Sequence, residues 1–306
     1  VYTLPPAERR INLTNRAAII NEIRRFFAGR DYLEVETPLR IPAPAPEFHI
    51  DAIPSGSWFL QTSPELCMKR LLAAGFRQLF QIARCWRDGE RGRQHLPEFT
   101  MLEWYRADCG YRDIMDECED LLSSVAHSIS KGNSIIFRGR KIRLDGPWER
   151  ITVREAFQHY TGISMEDALA SDRFDEIMVT DIEPNLGISR PTFIFDYPAE
   201  RGALARLREG DPSVAERFEL YIGGLELANA FTELTDPEEQ RERFQHEESY
   251  RREYGKTPYP VPEKFLAELS SMSPSSGIAL GVDRLVMVLT DAACIDEVVA
   301  FTPEEL

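Results

Sequence analysis

The stretch that most constrains the fold is Phe80 to Tyr105, FQIARCWRDGERGRQHLPEFTMLEWY, which alternates with period two on either side of a charged loop. Phe80, Ile82, Arg84 and Trp86 share one parity, and Gln81, Ala83, Cys85 and Arg87 the other, as a pleated strand with two unlike faces requires. Beyond Asp88 to Pro97 the alternation resumes. Phe99, Met101, Glu103 and Tyr105 point one way and Thr100, Leu102 and Trp104 the other, so one face carries rings, a carboxylate and a phenol. Arg87 stands at the mouth of a loop that holds Arg91, Arg93 and His95. Guanidinium forks match phosphate oxygens, which makes this loop a candidate polyphosphate cradle; a solvated hairpin tip is the plain alternative, and periodicity leaves both open.

A chain of 306 residues is long enough for one large domain or two ordinary ones. No apolar run approaches the ~20 residues that span a bilayer, so a soluble protein with no membrane association is expected. The start, VYTLPPAERR, lacks the apolar segment of an export signal, which makes cytoplasm the expected location. The five cysteines are scattered without a CxxC spacing and read as reduced thiols rather than a disulfide framework or zinc site. A net charge of -15 opposes broad nucleic-acid binding.

Along the chain, Ile19, Ile20, Ile23, Phe26 and Phe27 predict an amphipathic helix from Asn12 to Gly29, followed by a short strand in YLEVETP that Pro38 closes. Residues 41–59 are proline-rich and carry no motif. Ser63 and Pro64 are placed to cap and open a helix with Glu65 in its first turn, where a favourable helix-dipole contact is the simplest role for that acid. Tyr111 to Ile129 has helical spacing with Asp113, Asp116, Glu117, Glu119 and Asp120 expected outside. Lys131 to Trp148 reads as a strand pair, and Thr152 with Glu155 as a capping box. The middle third, about 106–190, is expected to be a helical insertion.

The carboxylates gather in a second hairpin, RFELYIGGLELANAFTEL, turning at Gly223 and Gly224. Asn229, Phe231 and Glu233 share a parity that Glu226 lacks, so a bulge is required to bring Glu226 to their side. Glu219 and Glu226 read either as exposed cross-strand charges or as oxygen ligands for Mg²⁺ beside phosphates. Asp236 and Pro237 open a polar helix. The segment GIALGVDRLVMVL then reads as strand, glycine turn and helix, with Arg284 in the helix's first turn, where backbone N–H groups already suit an anion.

Helix–strand–proline, arginine strand–loop–strand and glycine strand–arginine helix, in that order, resemble the three motifs of class II aminoacyl-tRNA synthetases. More narrowly, EVETP, TSPE, HLPEFTMLEWY, RFELYIGGLELANAFTEL and GVDRLVM are similar to the lysyl-tRNA synthetase catalytic core over almost the whole chain. The resemblance implies an α+β fold, a mostly antiparallel sheet flanked by helices, spanning 1–306 as one catalytic domain. The first motif begins within the first twenty residues, so no anticodon-binding barrel and no direct anticodon recognition are expected. Ala279 stands where the third motif typically has its middle glycine. Together these features resemble the stand-alone paralogues of lysyl-tRNA synthetase that modify translation elongation factor P.

That resemblance implies an ATP-dependent, AMP- and pyrophosphate-forming ligase that activates (R)-β-lysine and passes it to a lysine ε-amine of elongation factor P. It assigns Arg87 to the α-phosphate, His95 and Arg284 to the β/γ end, Phe99 to the adenine, and Glu219 and Glu226 to Mg²⁺. Ser63, Glu65, Glu103, Tyr105, Asn229, Phe231, Glu233 and Ala279 would form the amino-acid pocket, because two ammonium groups need several buried acceptors. Gly89 replaces the usual acid of the second motif, with Glu90 next to it as its substitute, and Gln94 replaces a loop arginine. A homodimer through residues 12–38 is expected from the same resemblance. A small-molecule amide ligase, an inactive regulatory paralogue and direct lysylation of tRNA are the competing readings.

Overall fold

Helix α1 (Arg10–Ala28) turns Ile19, Ile23, Phe26 and Phe27 inward, as their spacing requires, and its chain reverses at Gly29. The computed structural model describes residues 7, 9–129, 131–202 and 204–306. Strand β1 (Leu33–Glu34) follows and pairs parallel with the later β5, Leu33 opposite Leu79. Leu33 is 49% exposed, because this two-residue strand lies at the sheet edge. The proline-rich segment forms a small separate sheet of β2 (Arg40–Ile41), β3 (Pro54–Ser55) and β4 (Trp58–Leu60), with residues 42–53 looping between.

Helix α2 (Glu65–Ala73) starts one residue later than expected, but the Ser63 hydroxyl still accepts from the Glu65 N–H at 3.0 Å. Then come β5 (Gln78–Trp86) and β6 (Glu98–Ala107), the hairpin foreseen from periodicity. Helix α3 (Tyr111–Ser128) and the hairpin β7 (Ser134–Phe137), β8 (Arg140–Arg143) add to the main core. Strand β9 (Glu149–Thr152) leads through the Thr152–Glu155 capping box into α4 (Val153–Tyr160), α5 (Met165–Ala170) and α6 (Phe174–Ile177), which close a second apolar cluster. The stretch 106–190 is thus continuous with the sheet at both ends, through α3 and β9.

Strands β10 (Thr192–Pro198), β11 (Leu207–Arg208), β12 (Asp211–Ile222) and β13 (Leu225–Thr232) precede α7 (Pro237–Glu253), α8 (Glu263–Leu269), β14 (Ser275–Gly281) and α9 (Val282–Thr290). The main sheet runs β1-β5-β6-β14-β13-β12-β10-β9, with β11 against β12, and is antiparallel apart from β1–β5 and β9–β10. The β12–β13 turn is Gly223–Gly224 with φ of 63° and 73°, the left-handed pair that a two-residue hairpin loop needs. The required bulge is present: Leu220 pairs with Ala228 but Tyr221 with Glu226, so Leu227 is the extra residue and Glu226 joins the Asn229 face.

Helices α1, α3 and α9 cover one face of this sheet through a continuous core that includes Phe80, Leu102 and Trp104. Glu117 of α3 is part of that packing, not of the solvated face expected for it. Its carboxylate accepts from Tyr32 OH at 2.7 Å and from Trp104 Nε1 at 2.9 Å, and the Tyr32 phenol is pushed far up by burial and by this acid. Removing the acceptor leaves two buried donors unpaired. Glu117→Ala is therefore expected to lower stability by roughly 2–4 kcal/mol in urea or thermal denaturation; a change within experimental error would show that water replaces the carboxylate.

Candidate active site

The opposite sheet face is open and carries the pocket, walled by α2, the 42–53 loop and the segment around Leu204. Register explains its composition. Glu103 lies opposite Ala279, Ala279 opposite Asn229, and Asn229 opposite Glu219, so four strands contribute one row. The neighbouring row is Tyr105, Gly277, Phe231 and Arg217. Residues directly opposite in a ladder share a face, which is why side chains far apart in sequence meet here. A Cβ on Gly277 would collide with the Tyr105 ring and with Glu233 Oε1, so only glycine lets that ring cross the sheet. Ala279, two residues on, puts its methyl on the pocket floor.

One end of the pocket is acidic. Ser63 Oγ donates to Glu103 Oε1 at 2.6 Å and Tyr105 OH donates to Glu103 Oε2 at 2.9 Å. Lys69, buried on α2, places its Nζ 2.5 Å from Glu65 Oε1 and 2.5 Å from Glu233 Oε2, with the Phe231 ring centre 4.9 Å away. Burial opposes the Lys69 charge, but Glu233 and Glu65 outweigh it and raise its pKa. Burial, with Glu65 nearby, pushes Glu103 up to about 8. Burial likewise lifts Glu233 to about 8, against the pull of Lys69.

The other end is cationic. The Arg87 guanidinium sits 5.2 Å from the Phe99 ring centre and 3.8 Å from Glu90, and its buried Nε has no acceptor among the described residues. Arg284 Nη2 lies 2.5 Å from His95 Nε2, and its Nη1 donates to the Glu226 carbonyl at 2.8 Å and meets the Glu226 carboxylate at 3.3 Å. Burial and the Arg284 charge hold His95 below the usual histidine range, so it faces Arg284 as a neutral acceptor. Asp283 beside Arg284 accepts from the Thr100 N–H at 2.7 Å and pairs with Arg16, locking α9 to β6 and α1.

Two of the loop arginines turn away from the cradle expected of them. Arg91 pairs with Asp296 at 3.0 Å and Glu304 at 2.9 Å, and Arg93 donates to the Ala293 carbonyl at 3.3 Å. Of the paired acids, Glu226 lines the pocket, whereas Glu219 lies just outside its lining, accepting from Arg217 at 2.6 Å and Tyr221 OH at 2.8 Å. A third carboxylate, Glu183, joins them; burial, then Glu219 and Glu226, raise it to about 7. Among the described residues no three His, Cys, Asp or Glu side chains form a closed metal cage. An excess of carboxylate oxygens with few ligands nevertheless suits Mg²⁺, which takes one or two protein carboxylates and leaves the rest to phosphate and water.

Sequence reasoning missed Lys69, Gly277, Asp283, Glu183 and Glu47. Lys69 had a usable signal, since it follows Glu65 by one helical turn. Glu47 had none, arising from an aperiodic loop.

The open face of the antiparallel sheet thus carries an acidic group of residues at one end of its pocket and an arginine-rich, carboxylate-flanked group at the other. The family model described as tRNA synthetases class II (D, K and N) matches residues 4–305, and the chain belongs to that family. ATP use follows from that membership. The chain is 39% identical to the elongation factor P–(R)-beta-lysine ligase of Proteus mirabilis, covering 97% of this chain and 96% of the relative. It is 40% identical to the Salmonella typhi protein of the same name, covering 98% and 97%. Among the described residues no helix is long and apolar enough to cross a membrane.

The raised Glu103 and Glu233 give a pH test. In the empty pocket protons are retained below about pH 8, whereas a ligand with two ammonium groups stabilises the ionised carboxylates. Binding must then release protons. The Kd for lysine or a close analogue is expected to fall as pH rises from 6.5 to 8, by up to about tenfold per unit for each proton released. Calorimetry in two buffers of different ionisation enthalpy reads the proton count; a pH-independent Kd would contradict it.

Proposed function

We propose that this protein activates (R)-β-lysine with ATP, forming an aminoacyl adenylate and pyrophosphate, and transfers the acyl group to a lysine ε-amine of translation elongation factor P. The observation that carries this reading is the polarity of this pocket: buried carboxylates for two ammonium groups at one end, and at the other an arginine whose buried Nε lacks an acceptor among the described residues. The names and near full-length coverage of the relatives support the acceptor.

In this reading Glu65, Glu103 and Glu233 receive the substrate's ammonium groups, with Ser63, Tyr105 and Asn229 orienting them and Phe231 and Ala279 limiting the space. Arg87 takes the α-phosphate, with Phe99 beneath the adenine, Glu90 beside the base, and His95 and Arg284 at the β/γ end. Glu219 and Glu226 would hold Mg²⁺, with Glu183 adding charge; the ion would neutralise the phosphates. The protein's own contribution to the first step is positioning: the substrate carboxylate is held in line with the α-phosphorus while Arg87 meets the charge developing on its oxygens. No covalent enzyme intermediate is needed. In this reading the chain acts as a single catalytic domain and as a homodimer through residues 12–38.

Arg87→Ala is expected to reduce ATP–pyrophosphate exchange at least about 10²-fold while leaving the unfolding midpoint nearly unchanged; near-normal exchange would remove the α-phosphate role. Ala279→Gly removes one methyl from the floor, and a methyl-sized change in a pocket is worth about 10-fold or more in selectivity. The ratio of kcat/KM for α-lysine over (R)-β-lysine should rise accordingly in the variant, and an unchanged ratio would free Ala279 from selectivity. Mass spectrometry of elongation factor P incubated with protein, ATP, Mg²⁺ and either isomer tests the whole reading: a lysyl-sized increase on one lysine supports it. Pyrophosphate exchange with no such increase would point to another acceptor.

A further inference from the structure

The transfer step needs a neutral amine, yet a lysine ε-ammonium arrives protonated at ordinary pH. A group that takes this proton must sit where the amino-acid carboxyl meets the α-phosphate, between the acidic end and Arg87. The carboxylates of the acidic end are already engaged. Glu103 is held by Ser63 and Tyr105, and Glu65 and Glu233 by Lys69. Glu47 differs: it lines the same pocket but enters it from the 42–53 loop, apart from the helix and strands that carry the other acids.

The backbone around Glu47 is held with unusual care for a loop without regular structure. Arg251, fully buried on α7, donates to the Glu47 carbonyl at 2.9 Å, the Ile50 carbonyl at 3.0 Å and Asp51 Oδ1 at 2.9 Å. Glu247 Oε2 accepts from the Phe48 N–H at 2.8 Å, and Tyr259 OH from the Ala52 N–H at 2.7 Å. The Asp51 carbonyl accepts from the Asp88 N–H at 2.7 Å, tying the loop to the residue that follows Arg87. The clamp thus fixes the main chain from which the Glu47 side chain joins the pocket lining.

From this placement we infer that Glu47 is the general base of acyl transfer, accepting a proton from the ε-ammonium of the acceptor protein. The inference rests on the ligase reading above. One N–H proton passes to the Glu47 carboxylate, and the nitrogen lone pair forms the C–N bond at the adenylate carbonyl. The C–O bond to phosphate breaks with its electron pair leaving on AMP, and the second nitrogen proton goes to water. The charges that act on Glu47 are those of Glu65 of α2, Arg87 beyond β5, Glu247 of α7 and Arg217 of β12. Burial, with Glu65 next and Arg87 opposing, raises Glu47 to about 7, suited to exchanging a proton near neutrality.

The test separates the two half-reactions. With ATP, Mg²⁺ and (R)-β-lysine, exchange reports adenylate formation, and single-turnover transfer from preformed adenylate to elongation factor P reports the second step. For Glu47→Gln, transfer should fall at least about 10²-fold further than exchange. Wild-type transfer should rise as pH climbs through 7 and then level, whereas in Glu47→Gln the slow residual transfer should keep rising with pH as free amine accumulates; Glu47→Asp, which keeps a carboxylate if the amide perturbs the loop, should restore the levelling. Equal losses in both steps would make Glu47 a substrate-binding residue and overturn the inference, as would transfer at the wild-type rate in Glu47→Gln. Wild-type protein that neither exchanges nor transfers would instead defeat the ligase reading itself.

Discussion

An ammonium buried between two carboxylates, Lys69 between Glu65 and Glu233, is the interaction on which the site depends. A pocket that collects glutamates on the floor of a sheet repels itself, and an unpaired buried charge is expensive. One fixed cation offsets part of that repulsion and holds two of the acids in place, while Ser63 and Tyr105 hold a third. What remains is a deficit of positive charge, expressed as carboxyl groups raised to about 8 at Glu103 and Glu233. In the proposed reading a dicationic substrate supplies what the pocket lacks, so that affinity and selectivity would arise from the same imbalance.

The sheet converts this chemistry into geometry. Its helix-covered face makes it rigid, and the ladder register brings β6, β14, β13 and β12 into line so that an acid, a methyl, an amide and a second acid form one row. The Leu227 bulge re-aims Glu226 towards Arg284, and Asp283 ties the arginine helix to the floor strand. The cationic end, with Arg87 and Arg284, and the acidic end, with Glu65, Glu103 and Glu233, thereby line one pocket on one sheet face.

Much of this was legible in the chain itself. The period-two faces of Phe80–Trp86 and Phe99–Tyr105, the Gly223–Gly224 turn, the need for a bulge before Glu226 and the stripe of α1 all follow from local rules, and the residues chosen on those rules and on family resemblance, Glu219 apart, line one pocket. Three local readings failed for a common reason. Glu117 looked like a surface acid until Tyr32 and Trp104 supplied donors from other elements. Arg91 and Arg93 looked like phosphate ligands until the C-terminal segment claimed them.

By itself, then, the sequence determined which segments pleat or coil, which side of each strand is polar, and the family to which the chain belongs, because these rest on spacing between near neighbours. Only the tertiary structure decided which charges are partnered. Lys69 reaches Glu233 across a helix–sheet junction, and Glu47 arrives on a loop whose position is set by Arg251, some two hundred residues away. Electrostatic partnership depends on distance and burial in space, and neither is written in the local pattern of the chain.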